Sequence, residues 1–354
     1  MDNLINHPGI IAVFAIVIVV MLVIDLGVFN KKTHAISNRE AVIWSTVWIA
    51  LSMLFSVFIY MYAGLEKFSQ FQSAYWIEKA LSVDNLFVFI LVFGFFNVPR
   101  ELHHKVLFWG ILGAIVMRAF FIFTGVGLIK LTYLPEFSIF GLNFVLEHND
   151  GVAINYAARE FFRPNIILTL FGAFLIYAGI KSGFAEDDDD ENKDFNKSPG
   201  AKIVRKFFTV SDNWNQGKFF TIENGKKVAT PLLVVVGVIE FTDLLFAVDS
   251  IPAIFAIAPN DPFILYTSNI FAILGLRALY FLLANFIHLF SKLKYGLAFV
   301  LAFIGTKMLV APFYHIESVV SLIIVVGALI LSVIASVIFP DDEAGGNEEE
   351  ESLT

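Results

Sequence analysis

The chain is 354 residues long, 58% hydrophobic, with a mean hydropathy of +0.76 and 40 phenylalanines, a composition that excludes a water-soluble globular domain. Its net charge of −8 says little about partners, because the acids concentrate in two runs, Glu186–Glu191 and Asp341–Glu351, that read as solvated segments. The absence of cysteine excludes thiol redox chemistry, disulfides, thiolate metal sites and iron–sulfur ligation, and no basic stripe with interleaved aromatics supports nucleic-acid binding.

Apolar runs of about twenty residues, the length that crosses about 30 Å of hydrocarbon, recur along the chain. The first, Ile10–Phe29, reads as a retained span, since Met1–Gly9 lacks a basic n-region and no A-x-A cleavage pattern follows. It carries Asp25, which either joins an internal site or lies at its cytoplasmic mouth. Span two is Val42–Ala63, and span three is Tyr75–Phe96, with Glu78, Lys79, Asp84 and Asn85 inside it. Span four, Lys105–Ile129, has Arg118 near its middle, and the preceding loop holds His103 and His104, read as a solvated pair. An external insertion, Leu131–Arg163, leads to span five, Asn165–Gly183.

A cytoplasmic loop, 184–230, then opens with the first acidic run. It continues into two segments of strand character, Phe207–Val210 and Phe219–Glu223, closed by the turn signal Asn224-Gly225, which together predict a small hairpin. This loop is also the surface offered to partner proteins. Span six, Pro231–Ala258, carries Glu240, Asp243, Asp249 and Ser250, and its Pro252 favours a kink by removing a backbone donor. Spans seven to nine are Phe263–Phe290 with Arg277, Lys294–Pro312 with Lys307, and Glu317–Phe339, before the acidic tail 340–354. Lys and Arg concentrate in the loops after spans one, three, five and seven, which places the N-terminus outside and the C-terminus in the cytoplasm.

Two spans share an unusual pattern. Setting Val83-Asp84-Asn85 on Val248-Asp249-Ser250 puts Glu78 on Asp243. In the following spans Arg118-Ala119 matches Arg277-Ala278, and then Gly179-Ile180-Lys181 matches Gly305-Thr306-Lys307. Spans three to five (75–183) thus repeat as spans six to eight (231–312). A unit of three spans is odd, so its second copy enters from the opposite side. Such inverted repeats build many secondary transporters, with the binding site near the midplane between the halves. The fold class is an all-α polytopic membrane protein of about nine helices, with a three-plus-three inverted repeat and a small cytoplasmic hairpin.

A carboxylate at a membrane centre costs about 2.5–3.5 kcal/mol on insertion scales, so Glu240, Asp243 and Asp249 within one span must be paired, protonated or holding a cation. Six residues advance an ideal helix by about 600°, so the two acids of each repeated pair point about 120° apart and cannot share one target on a continuous helix. The division favoured is that Asp84 and Asp249, beside Asn85 and Ser250, face each other across the pseudo-two-fold as core cation ligands. Glu78, Glu240 and Asp243 then add oxygens or accept protons. Hard divalent ions such as Mn²⁺ and Ca²⁺ take such oxygen ligands. The competing reading is that the acids pair with Arg118, Arg277, Lys79 and Lys307 as buried structural bridges. The arginines are assigned to charge pairing or gating, since a permanent positive charge repels a metal. No HExxH, Walker A loop, G-x-S-x-G or usable GxGxxG is present, so an enzyme is not expected.

The segments EKALSVDNLFVF (Glu78–Phe89), EFTDLLFAVDSIPAIFAI (Glu240–Ile257) and KFFTIENGKKVATPLL (Lys218–Leu233), with the intramembrane arginines, resemble the TerC/Alx family of integral membrane proteins. The likeness runs from Asp25 to about Phe339. It implies a multi-pass protein of the bacterial inner membrane, grouped with LysE-type exporters and named for tellurite resistance. The implied role is Mn²⁺ export, with Asp84, Glu240, Asp243 and Asp249 important for transport and no permanently bound cofactor. Export of Ca²⁺, an amino acid or an oxyanion, or a non-transport role as an assembly or stress-complex subunit, are the alternatives.

Overall fold

The computed structural model describes residues 9, 12–20, 38–134, 137–139, 142–144, 164–184, 194–223, 225–285, 292–314 and 316–339, without the side chains of Asn38, Asp84, 137–139, 142–144, Gln216, Asp249 and Asn285. Asp25, both acidic runs and most of the insertion therefore lie outside the described residues.

The first long element, α1 (Asn38–Phe95), is helical except at Gly64, whose φ of 82° and ψ of −177° lie where a side chain is strained. The chain reverses there. Gln72 Nε2 donates to Ser56 Oγ at 2.7 Å, and the ring pairs Phe55–Phe71 and Tyr60–Phe68 sit 5.7 and 5.9 Å apart. These partners fall symmetrically about Gly64, so the arms α1a (38–63) and α1b (65–95) form an antiparallel helical hairpin. The expected loop between Ala63 and Tyr75 is absent because Phe68, Phe71 and Tyr75 recur at helical spacing, and Phe71 and Tyr75 are fully buried.

After α1 come α2 (Arg100–Leu131), a hairpin of β1 (Phe137–Ile139) with β2 (Leu142–Phe144), and α3 (Ile166–Phe184). The next membrane helix is α5 (Pro231–Phe255), followed by α6 (Pro262–Leu274), α7 (Leu276–Asn285), α8 (Leu293–Val310) and α9 (Ser318–Ile338). Among the described residues six helices, α1 counted once, are long and apolar enough to cross a membrane, and a seventh crossing follows if α6 and α7, bent by 43° at Gly275, count as one span. The chain is thus a polytopic all-α membrane protein. Helix α5 runs one turn beyond Pro252 and ends there, with Ala256 N–H donating to Pro252 O at 3.3 Å.

Between α3 and α5 lies a small polar subdomain. It contains the 3-10 turn Phe195–Lys197, α4 (Pro199–Phe207), a second 3-10 turn Asn215–Gly217, β3 (Phe220–Glu223) and β4 (Lys226–Ala229). The hairpin forms around residues 224–225, but its strands are β3 and β4, with Phe220 opposite Ala229. Of the segment expected as a strand at Phe207–Val210, Phe207 ends α4 and Phe208 is extended, while Val210 forms a single parallel bridge with Ala229, Thr209 O accepting from Ala229 N–H and Ser211 N–H donating to Ala229 O, each at 2.8 Å. Pro199 at the first helical position and the Ser198 cap, which accepts from Ala201 N–H at 3.2 Å, start that helix.

In lipid, helices associate through close packing more than through hydrophobic burial. Helices α3 and α8 show this most clearly. A Cβ added at Gly305 would lie 2.5 Å from Gly172 O, and one at Gly179 would lie 2.7 Å from Ala298 O. Backbone on both sides leaves nothing flexible to yield. Gly305→Leu is therefore expected to cost about 1–3 kcal/mol, as overpacking of a tight contact does. The unfolding midpoint of the detergent-solubilised protein measures this, and an unshifted midpoint would show that the helices part freely. Residues 12–20 join the bundle through Phe14, whose ring is 5.9 Å from Phe55 and from Phe263 and 6.3 Å from Phe271.

Candidate functional site

A buried charge cluster forms where α1b, α2 and α5 meet. Arg118, on α2, is fully buried. Its Nη1 donates to Glu78 Oε1 of α1b, and its Nη2 donates to Asp243 Oδ1 of α5 at 3.4 Å. A longer contact of 3.5 Å joins Nη1 to Ser250 Oγ. Asp243 and Ser250 are seven residues apart, nearly two full helical turns, so one face of α5 presents both to the arginine. Ser82, one turn after Glu78, donates its hydroxyl to the same Oε1 at 3.3 Å. Glu78 Oε2 and Arg118 Nε have no hydrogen-bond partner among the described residues.

Glu240 is placed differently. It is only partly buried, one turn before Asp243, and its carboxylate lies against Gly113 of α2, where a Cβ would overlap both oxygens. Neither Gly113 nor Ser82 figured among the residues expected at the site. A glycine inside a continuous apolar helix is the signal that could have found the first, because it marks a close approach.

The expected site residues separate as follows. Glu78, Asp243 and Ser250 come together with Arg118, and Glu240 adjoins them. Glu78 and Asp243 thus meet the guanidinium, and Ser250 accepts from it; all three were expected to offer oxygens to a metal. Asn85 is buried on α1b, and Arg277, at the start of α7, is 3% exposed. The carboxylates of Asp84 and Asp249, and all of Asp25, lie outside the described residues. Among the described residues no group of three or more His, Asp or Glu converges as a metal site.

The two lysines do not meet an acid among the described residues. Lys79 Nζ donates to Ala272 O at 3.2 Å, at the carbonyl end of α6, where a Cβ on Gly275 would come 2.9 Å from the ammonium. A helix terminus leaves carbonyls without intrahelical donors and carries partial negative charge, so a lysine there satisfies both. Lys307 Nζ donates to Ser321 Oγ of α9 at 2.7 Å.

Both ends of the α6–α7 unit are tied. At one end Lys67 Nζ of α1b lies 2.7 Å from Asp261 Oδ2, while Asp261 Oδ1 caps α6 by accepting from Ile264 N–H at 3.1 Å. At the other end His103 Nε2 donates to Val98 O at 3.0 Å, which leaves Nδ1 to accept from the Tyr280 hydroxyl at 3.1 Å. The His103 ring also stacks on Phe93, 4.3 Å between centroids. His103 is therefore a packing and hydrogen-bonding residue, not a member of a solvated pair.

Comparisons with known proteins agree with this architecture. A family model described as "Integral membrane protein TerC family" matches residues 63–344. An uncharacterized membrane protein of Myxococcus xanthus is 40% identical over 336 residues, which is 94% of this chain and 93% of that one. The Alx protein of Escherichia coli K12, whose name assigns it provisionally to membrane-bound redox modulation, is 40% identical over 341 residues, 94% of this chain and 95% of its own. No solved structure matches the chain.

Proposed function

Because the chain belongs to the TerC family of integral membrane proteins, we propose that it is a secondary-active exporter of a divalent cation, Mn²⁺ first and Ca²⁺ second, working by alternating access. The observation that carries this reading is the excess of carboxylates inside the bundle. Glu78 and Asp243 share one guanidinium, and Glu240, one turn from Asp243, adds a further carboxylate beside Gly113. Asp84 and Asp249 sit on the same two helices, α1b and α5. A site that carries net negative charge away from bulk water attracts a hard cation and can exchange it for protons. Asp84 and Asp249, with Asn85 and Ser250 beside them, are the assigned core ligands. Arg118 and Arg277 hold the remaining acids when the ion has left.

We assign nine crossings: the span expected at Ile10–Phe29, α1a, α1b, α2, α3, α5, the bent α6–α7 pair, α8 and α9. The N-terminus then lies outside and the C-terminus in the cytoplasm, as the loop lysines and arginines indicate. The repeat reading is supported by α3 and α8. Aligning Gly179 with Gly305 also aligns Gly172 with Ala298, and the exchange carries the Gly172–Gly305 approach onto the Gly179–Ala298 approach. In this topology Lys67–Asp261 closes the outer end and His103–Tyr280 the inner end.

The relatives' name favours a second reading, a membrane-bound modulator that acts on redox state or assembles with partners through residues 184–230. With no cysteine in the chain, redox action would not run through its own thiols. One experiment separates the two. The protein is reconstituted in liposomes with a Mn²⁺-sensitive dye inside, and flux is followed for wild type, Asp84→Asn and Asp249→Asn. Flux is expected in the wild type and lost in both variants. Flux kept by both variants eliminates the assigned ligands, and no wild-type flux from folded protein favours the docking role.

A further inference from the structure

Helix α4 has an apolar face that the protein covers only in part. At 100° per residue, Ile203, Phe207, Gly200, Val204 and Ala201 fill an arc of about 160°, and Arg205, Lys202 and Lys206 lie on the opposite side. The Gly200 side of this arc packs on α5 so closely that a Cβ at Gly200 would overlap Gly237 O, and Val204 Cγ2 would lie 2.7 Å from a Cβ at Gly237. The other edge is bare: Ile203 is 52% exposed and Phe207 71%.

The position of α4 says what covers that edge. Gly237 is six residues into α5, about 9 Å along a helix that enters the membrane. Amphipathic helices that lie in the membrane plane bury their apolar face about 5–10 Å into the boundary between headgroups and acyl chains. Helix α4 is thus held against the flank of a membrane helix at that depth, with its uncovered apolar edge continuing the face already turned to α5. Its polar residues include three basic ones and no acid, which suits anionic headgroups. The acidic run Glu186–Glu191 contains no apolar side chain that would pair with Ile203 and Phe207.

We propose that α4 is an interfacial lipid-binding helix, with Ile203 and Phe207 inserted at the headgroup boundary and Lys202 and Lys206 contacting anionic phospholipid headgroups. The proposal does not depend on what the protein transports.

The cysteine-free chain makes a direct test simple. Full-length Phe207→Cys, labelled with an environment-sensitive fluorophore, is reconstituted in vesicles of phosphatidylcholine alone or mixed with phosphatidylglycerol. The same label at Lys226→Cys serves as a water-exposed control. Expected are a blue-shifted emission at position 207 and quenching by brominated acyl chains, both stronger with phosphatidylglycerol. That lipid dependence should disappear when Lys202→Gln and Lys206→Gln are added. Quenching by aqueous iodide with none by brominated lipid overturns the proposal. So does protection from both quenchers, which would mean that the acidic segment or another protein surface covers the edge. As a label-free check on the unmodified protein, trypsin should cut after Lys202 and Lys206 more slowly in the anionic vesicles; equal rates in the two lipids count against the proposal.

Discussion

Arg118→Met is expected to lower stability by about 3–5 kcal/mol, the usual cost of breaking a buried ion pair by removing one partner. The side chain is fully buried and holds carboxylates from two different helices, so its loss leaves Glu78 and Asp243 facing each other with no cation between them. Methionine fills much of the vacated volume, so the cost reports charge more than cavity. Adding Glu78→Gln and Asp243→Asn removes the uncompensated charges, and the triple variant should recover most of the loss. The measurement is the unfolding midpoint in a denaturing-detergent titration, with all variants in the same lipid–detergent mixture. A single variant within about 0.5 kcal/mol of wild type, the range of a neutral substitution, would show that the network does not hold the helices together.

Gly113→Ala tests the other half of the cluster and should do the opposite. The three atoms that the new methyl group would meet first all belong to the carboxylate of Glu240, the far end of a flexible side chain that can swing aside. Alanine in a helix interior is also favoured over glycine by about 0.5–1 kcal/mol, so stability should hold or rise. What changes is the direction in which Glu240 points. If that carboxylate serves the transported cation, flux in the liposome assay should fall by about 10–100-fold, as it does when a residue supporting a metal ligand is altered. Unchanged flux in a stable Gly113→Ala protein would remove Glu240 from the transport path and leave the Asp84 and Asp249 test to stand alone. The two substitutions form a contrast: one breaks the fold's electrostatics, the other displaces a single carboxylate.

Apolar runs of membrane length and the acids within them were legible because each is a local property of the chain. Twenty apolar residues span the hydrocarbon wherever they occur, and Glu78, Glu240 and Asp243 are conspicuous there whatever surrounds them. Three features were not legible. The turn at Gly64 depends on one residue adopting a positive φ, and the helical spacing of Phe68, Phe71 and Tyr75 is too short a signal amid the polar residues of LEKFSQFQSA until Phe71 finds its partner in α1a. The bend at Gly275 is occupied by a lysine that lies 193 positions away from the carbonyl it reaches. The strand expected at Phe207–Val210 shrinks to a single bridge at Val210, because a proline start, a serine cap and packing against α5 carry the preceding helix through Phe207.

The sequence by itself determined that this is a multi-pass helical membrane protein with charge inside its spans, and which residues carry that charge. Only the tertiary structure decided who faces whom: Glu78 and Asp243 meet Arg118, Lys79 meets a helix end, and Glu240 is left against a glycine. The reason is physical. Hydrophobic length and the cost of burying a charge are fixed residue by residue. The partner that compensates a buried charge is chosen by which helices approach closely enough, and that depends on small residues such as Gly113 and Gly275 whose effect appears only when another helix arrives.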